Sequence, residues 1–291
     1  MTNTENGDEP LYLTTREVAD LLRVKERKVY DLAAEGEIPH RRITGKLLFP
    51  RSELFAWLGE GQVSADRPPV LTGSHDPLLD WAVRESDCGL ATLLNGSLEG
   101  VRCFAAGRAA LTGLHIPDSE GWNVATVSGF DLTDAVLIRW ASRARGLILA
   151  ERGAGQIRGL EDLRGKRMVM RQPGAGAAAL LNRLLSDAGM AETDLTPATG
   201  LARTESDAAA AVAAGEADAA LGIAAMANQF NLPFVPLLEE NFDLLIDRRA
   251  YFTVPVQTLL SFTRTAAFTA KATALGGYDL TEAGDVCWLS G

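Results

Sequence analysis

The chain has 291 residues, 47% of them apolar and 23% charged, with a formal net charge of −10. At roughly 100–200 residues per domain this length predicts two or three domains. The apolar content excludes a disordered chain, and the lack of any run of about 18 apolar residues excludes a membrane span. The acidic balance argues against nonspecific nucleic-acid binding by the whole molecule.

Met1 to Pro10 is polar and acidic, without the basic start and apolar core of a secretory leader. It reads as a disordered tail, residues 1–10. The cysteines, Cys88, Cys103 and Cys287, are odd in number and far apart. They predict a reducing cytoplasm, no disulfide framework and no zinc spacing. Charge is uneven along the chain. Residues 11–58 carry a net of +2, residues 1–10 a net of −3 and residues 59–291 a net of −9. A mildly basic module on an acidic body suits a small DNA-binding unit.

Residues 11–58 read as that module. Thr14-Thr15-Arg16-Glu17 fits a capping box, and Val18, Leu21 and Leu22 continue a helical stripe. A second helix is expected over about 25–34, with Gly36 ending it. Residues 38–43, a tight turn at Thr44-Gly45-Lys46 and residues 47–49 predict two short strands. A closing helix follows over about 51–58. Residues 59–70, GEGQVSADRPPV, are the expected linker.

From residue 71 strand and helix signals alternate, which predicts α/β architecture. Strands are expected at 71–73, 110–116, 146–150, 167–171, 217–223, 234–237 and 242–246. Helices are expected at 76–86, 97–107, 174–188, 207–214, 256–263 and 268–275. The run 135–141 has helical spacing.

Two short helices followed by a basic hairpin fit a helix-turn-helix with a wing. The segments LTTREVADLL, KVYDLAAEGEIP and GKLLFPRSELFAWL resemble the excisionase/MerR-like helix-turn-helix family. That resemblance covers 13–58 and implies DNA binding. It also implies a Ser or Thr cap on the recognition helix, where this chain has Lys25. Lys25, Arg27 and Lys28 on the second helix, and Arg41, Arg42 and Lys46 on the wing, are the candidate DNA contacts. Most are expected on phosphate, with Arg27 at a base edge. The plainer reading of these six is solvated surface charge.

Three turns in the second region can bind an anion through helix N-termini. They are Gly73-Ser74-His75-Asp76-Pro77, Asn95-Gly96-Ser97 and Arg171-Gln172-Pro173-Gly174-Ala175-Gly176. Small residues allow close backbone approach. Candidate ligand residues are Ser74, His75, Asp76, Ser97, Arg171, Gln172, Gly174, Ala175 and Gly176. Ser74, Ser97 and Asp76 read equally as helix caps, and His115 reads first as a structural histidine. The segments GSHDPLLDWA, LLNGSLEGVRCFAAG, GLEDLRGKRMVMRQPGAG and FVPLLEENFDLLI resemble the PBP-like domain related to molybdate-binding proteins. That resemblance implies a two-lobed periplasmic-binding-protein type 2-like α/β fold over 71–291. Its first lobe would take about 71–145 and 250–291, and its second about 155–240. It implies molybdate, tungstate or a related anion as effector. Ala175-Gly176-Ala177 stands where that family often has a hydroxyl residue, leaving backbone N–H groups alone to bind there.

No P-loop, G-x-S-x-G or H-E-x-x-H pattern occurs, and the histidines at 40, 75 and 115 do not form a metal motif. The expectation is therefore no catalytic residue, no metal and no cofactor. The fold class predicted is α/β, with an N-terminal winged helix-turn-helix joined to the two-lobed domain. The function predicted is a cytoplasmic one-component transcriptional regulator, whose partners are a double-stranded DNA operator, a small anion and a second copy of the chain. The alternative is a molybdenum-cofactor biosynthesis or accessory protein that binds a molybdopterin-type substrate.

Overall fold

A computed structural model describes residues 10–57, 67–119 and 121–291. The expected tail at 1–9, the helix end at Leu58 and linker residues 59–66 lie outside them. The chain divides into two compact units, one before and one after the Ala65–Asp66 step.

The first unit holds β1 (Tyr12–Thr14), α1 (Thr15–Leu22), α2 (Glu26–Ala34), β2 (Arg41–Ile43), β3 (Lys46–Pro50) and α3 (Arg51–Trp57). The capping box at α1 is present: Thr14 accepts from the Glu17 amide, and the Glu17 carboxylate accepts from the Thr14 amide at 2.7 Å. Arg23 in left-handed conformation ends the helix. Strand β3 lies between β1 and β2, all antiparallel. Thr44 and Gly45 both have positive φ, as a two-residue hairpin turn of matching twist demands. Residues 38–40 precede the strand they were expected to begin, and β1 was not foreseen because three residues carry too little pattern. Val18, Val29, Ile38, Phe49 and Leu54 form the buried core.

The second unit is built on two long strands. Its elements are β4 (Val70–Gly73), α4 (Pro77–Glu85), β5 (Ala91–Leu93), α5 (Ser97–Ala105), β6 (Leu111–Leu114), α6 (Val124–Ser128) and β7 (Ala135–Leu149). Next come β8 (Arg167–Arg171), α7 (Gly176–Asp187), β9 (Thr196–Ala202), α8 (Glu205–Ala213), β10 (Ala219–Ile223), α9 (Ala224–Gln229) and β11 (Phe234–Asp247). Helices α10 (Val254–Phe262) and α11 (Ala266–Leu275) and strands β12 (Tyr278–Asp279) and β13 (Val286–Leu289) complete it. The sheet order is β5-β4-β6-β11-β7-β10-β8-β9, with β12 and β13 also on β7.

β7 and β11 pair antiparallel from Ala135↔Asp247 to Ile148↔Phe234. The first half of β7 has β13 and β12 on its other edge, and its last five residues have β10 there. Both strands therefore run from one lobe into the other. This overturns the helical reading of 135–141. The run is paired on both edges and buried on both faces, and such a strand shows no clean period of two. The strands expected at 234–237 and 242–246 are one strand, irregular at Pro236/Leu238 and Phe242/Asp243.

The far end of the expected linker is part of this unit. Arg67 donates to Asp247 at 2.9 Å and to the Phe104 and Ala109 carbonyls, and β4 begins at Val70. These partners anchor the chain from Arg67 onward.

Helix α2 begins at Lys25 without a side-chain cap. Lys25→Ser should stabilise the first unit by about 1 kcal/mol, the usual worth of such a cap. Urea unfolding of the protein checks this, with an unchanged midpoint for that unit as the contrary result.

Candidate functional site

The three turns singled out in the second unit meet. The Ser74 and Ser97 hydroxyls share a 2.7 Å hydrogen bond, and both residues are buried. Ser97 Oγ also accepts from the His115 amide at 3.3 Å. The Leu98 amide, in the first turn of α5, donates to the Gly174 carbonyl at 3.3 Å. Gly176 opens α7 directly on the strand end after β6: a Cβ there would lie 2.3 Å from the His115 carbonyl oxygen. A side chain at 176 would push the two lobes apart. Helices α5 and α7 start at Gly96 and Ala175, which give no side-chain cap. Two helix N-termini without side-chain caps thus meet beside two serine hydroxyls, with the Leu98 N–H of one already taken by the Gly174 carbonyl.

Beneath this corner runs a chain of alternating buried charges. Arg143 donates to Asp76 at 2.8 Å and to Glu240; Arg145 donates to Glu240 at 2.6 Å and to Glu205 at 3.0 Å; Arg171 donates to Glu205 at 2.9 Å. Arg143, Arg145 and Glu240 are fully buried. The strand geometry explains the line. Arg143 and Arg145 are two residues apart on β7 and so share a face, and Glu240 on β11 lies opposite Arg143. Asp76 enters from the start of α4 and Glu205 from the start of α8.

Burial by itself would raise the Glu205 carboxyl, but Arg145 and Arg171 outweigh it and hold the pKa at about 2. Glu240 is likewise held well below the usual carboxylate range by Arg143 and Arg145. His115 Nδ1 lies 3.0 Å from Glu240, yet burial dominates and lowers its pKa, so the ring is neutral at pH 7. Tyr278 donates to Asp76 at 2.7 Å, and burial followed by that carboxylate raises its pKa.

The candidate ligand residues therefore divide. Ser74, Ser97, Gly174, Ala175 and Gly176 come together at the corner. Asp76 does not serve there: it accepts from the Leu79 amide, Trp140, Arg143 and Tyr278, which use its oxygens up. Arg171 is also taken by the protein, through Glu205 and the carbonyls of Ala202 and Arg203. Gln172 donates to the Arg203 carbonyl. His75 faces a separate cavity with Trp81 and Lys271. Arg143, Arg145, Glu205 and Glu240 were missed. The alternation of arginines in RWASRARG was their one local signal, obscured by the helical reading of 135–141.

In the first unit Lys25, Arg27, Lys28, Arg42 and Lys46 are exposed. Arg41 is exposed as well but pairs with Glu53 at 2.7 Å. That pair reduces its freedom to meet a phosphate. Arg16, Arg42 and Lys46 line a groove of about 410 Å³ between α1, α2 and the wing. Arg16 was not foreseen, because it sits inside the capping motif.

A model described as a helix-turn-helix domain matches residues 12–62, and one described as a PBP superfamily domain matches residues 80–264. The chain belongs to the PBP superfamily. It is 24% identical over 305 residues to the uncharacterized protein YvgK of Bacillus subtilis (strain 168), covering 94% of this chain and 96% of that one. Among solved structures it is similar to the H2O2-bound C206S mutant of Corynebacterium glutamicum OxyR. That match has a TM-score of 0.51 and 10% identity over 90% of this chain and 89% of the other. An ABC-type phosphate transport receptor from Vibrio cholerae matches with a TM-score of 0.47 and 12% identity, over 72% and 98%. A helix-turn-helix domain and a PBP domain thus share one chain, and among the described residues no helix is long and apolar enough to cross a membrane.

In the PBP domain, Glu240→Gln leaves Arg143 and Arg145 short of a buried counter-charge. It should destabilise the domain by about 3–5 kcal/mol in urea unfolding at pH 7. Acid should act through Glu205. Its carboxyl titrates near 4.5 when exposed and about 2 when folded. The stability it contributes is complete above pH 4.5 and is lost as pH falls towards 2. Melting temperature followed from pH 5 to pH 2 should fall less steeply in Glu205→Gln than in the wild type, from a lower starting value.

Proposed function

We propose that this chain is a one-component transcriptional regulator, non-enzymatic and cytoplasmic. Its helix-turn-helix unit binds an operator, and its PBP domain senses a small anion at the Ser74–Ser97 corner. The observation that carries the anion reading is the meeting of two uncapped helix N-termini with two serine hydroxyls. Free N–H groups and the helix dipole both favour negative charge there. A tetrahedral oxyanion of the molybdate or tungstate kind is the effector we favour, since hydroxyls and backbone N–H groups from several directions suit its four oxygens.

Binding would exchange the Ser74–Ser97 and Leu98–Gly174 hydrogen bonds for bonds to the anion. The first joins the β4–α4 turn to α5 and the second joins α5 to the α7 turn, so the exchange alters how the lobes hold each other. A ligand shifts an equilibrium only by its differential affinity for the two states, typically about 1–3 kcal/mol in allosteric proteins. Two copies of the module on a palindromic site would supply the affinity one module lacks.

On DNA, Lys25, Lys28, Arg42, Lys46 and Arg16 are read as phosphate contacts and Arg27 as a base contact. Lys46→Ala should weaken binding to all sequences alike and reduce the salt slope by about 1. Arg27→Ala should instead lower the preference for the operator over other sequences. Fluorescence anisotropy against operator and scrambled duplexes separates the two. A uniform loss in Arg27→Ala would remove its base contact from this reading.

Molybdate or tungstate should raise the melting temperature of the wild type but not of Ser74→Ala with Ser97→Ala. No shift with any oxyanion would end the anion reading and leave the DNA-binding reading standing.

A further inference from the structure

The PBP domain carries an apolar surface that its own packing leaves uncovered, where β13 joins the first half of β7. Val286 pairs with Ile138 and Leu289 with Val136, and Cys287 is the extra residue of a bulge between them. Residues three apart in a regular strand point to opposite faces; the bulge turns Val286 and Leu289 to the same one. Beside them the turn Ala250–Phe252 holds Phe252 outward, its ring edge-on to Tyr251 at 5.2 Å. Phe252 is 79% exposed, Val286 59% and Leu289 57%. Three large side chains so exposed reach the range of about 300–600 Å² at which an apolar patch is often functional. They surround a shallow cavity of about 240 Å³, lined also by Val136 and Ile138. An apolar space of about 150 Å³ takes benzene, so this one admits a phenyl ring.

The charges at the rim of this patch are sorted by sign along β7. Around the start of the strand stand Arg248, Arg249 and Asp134, all exposed, with Arg248 4.0 Å from Asp134. Two cations against one anion leave that end basic. At the other end, where the Arg139 amide donates to the Asp285 carbonyl, stand Glu282 and Asp285, both exposed. The cation there, Arg139, lies 2.7 Å from Asp243 and 3.5 Å from Glu282, so the end stays acidic. At about 3.3 Å per residue the two ends are about 15 Å apart along the strand. A two-fold axis crossing β7 in mid-patch lays the basic end of one copy on the acidic end of another, and Phe252 of each at the cavity of the other. We propose that two copies of this chain join through this face, with Arg249 of each facing Asp285 of the other. Patch and rim together offer roughly the 800 Å² per partner that a standard interface uses. The proposal rests on the reading that two copies act together on DNA, and adds the surface that joins them.

The test is sedimentation equilibrium of the full chain without DNA. The wild type should be a dimer at micromolar concentration. Phe252→Asp and Val286→Lys, both at exposed positions, should each raise the dimer dissociation constant at least a hundredfold with thermal melting of the monomer unchanged. Arg249→Glu and Asp285→Lys should each raise it at least fivefold, and the two together should return it to within about twofold of the wild type. That recovery is specific to the pairing across the axis. A wild type that stays monomeric at tens of micromolar overturns both this surface and the two-copy reading in the absence of DNA. A dimer untouched by Phe252→Asp and Val286→Lys overturns the surface and leaves the two-copy reading standing. Losses in Arg249→Glu and Asp285→Lys that add instead of cancelling overturn the two-fold arrangement.

Discussion

The second unit depends on one interaction: six charges in alternating order, Asp76, Arg143, Glu240, Arg145, Glu205 and Arg171, closed off from water. Each interior member has an opposite charge on both sides, which is what makes its burial tolerable. The chain of charges starts at α4, crosses β7 and β11 and ends at β8 and α8. It therefore runs from one lobe to the other through the two strands that both lobes share. Nothing apolar could do the same with equal directionality, because each guanidinium fixes its carboxylates at set angles.

The serine corner inherits its geometry from this arrangement. Asp76 caps α4 and is gripped by Arg143, so Ser74, two residues earlier, is held in place. His115 is tied to Glu240 through its ring and to Ser97 through its amide. Gly176 packs on that same histidine's carbonyl. The lobes thus touch through small residues and exchangeable hydrogen bonds at the corner, and through a rigid charged spine below it. The corner is thus joined by hydrogen bonds between small residues, and the spine below it by buried ion pairs.

Much of this was legible in the residues. The capping box at Thr14, the Thr44-Gly45 turn and the helix start at Ser97 all carry their signal within a few positions, and the structure has them there, while the helix expected from 174 starts at Gly176. The site was legible only in part. Ser74, Ser97 and the glycine turn could be singled out because small residues before a helix are a local sign of exposed N–H groups. Asp76 and Arg171 could not be judged, since a carboxylate or guanidinium looks the same in sequence whether it is free for a ligand or already paired.

By itself the sequence determined the helix-turn-helix, the α/β alternation and the turns that open helices, because caps, turns and short periodic stretches are settled by neighbouring residues. Only the tertiary structure decided that residues 135–149 form a lobe-crossing strand, that Asp76 and Arg171 belong to the spine, and that a second cavity opens beside His75. Within the spine the paired residues lie 34 to 97 positions apart, as in Arg171–Glu205 and Arg143–Glu240. Pairings over such distances are set by how strands align and what burial demands, and no local stretch of chain contains that information.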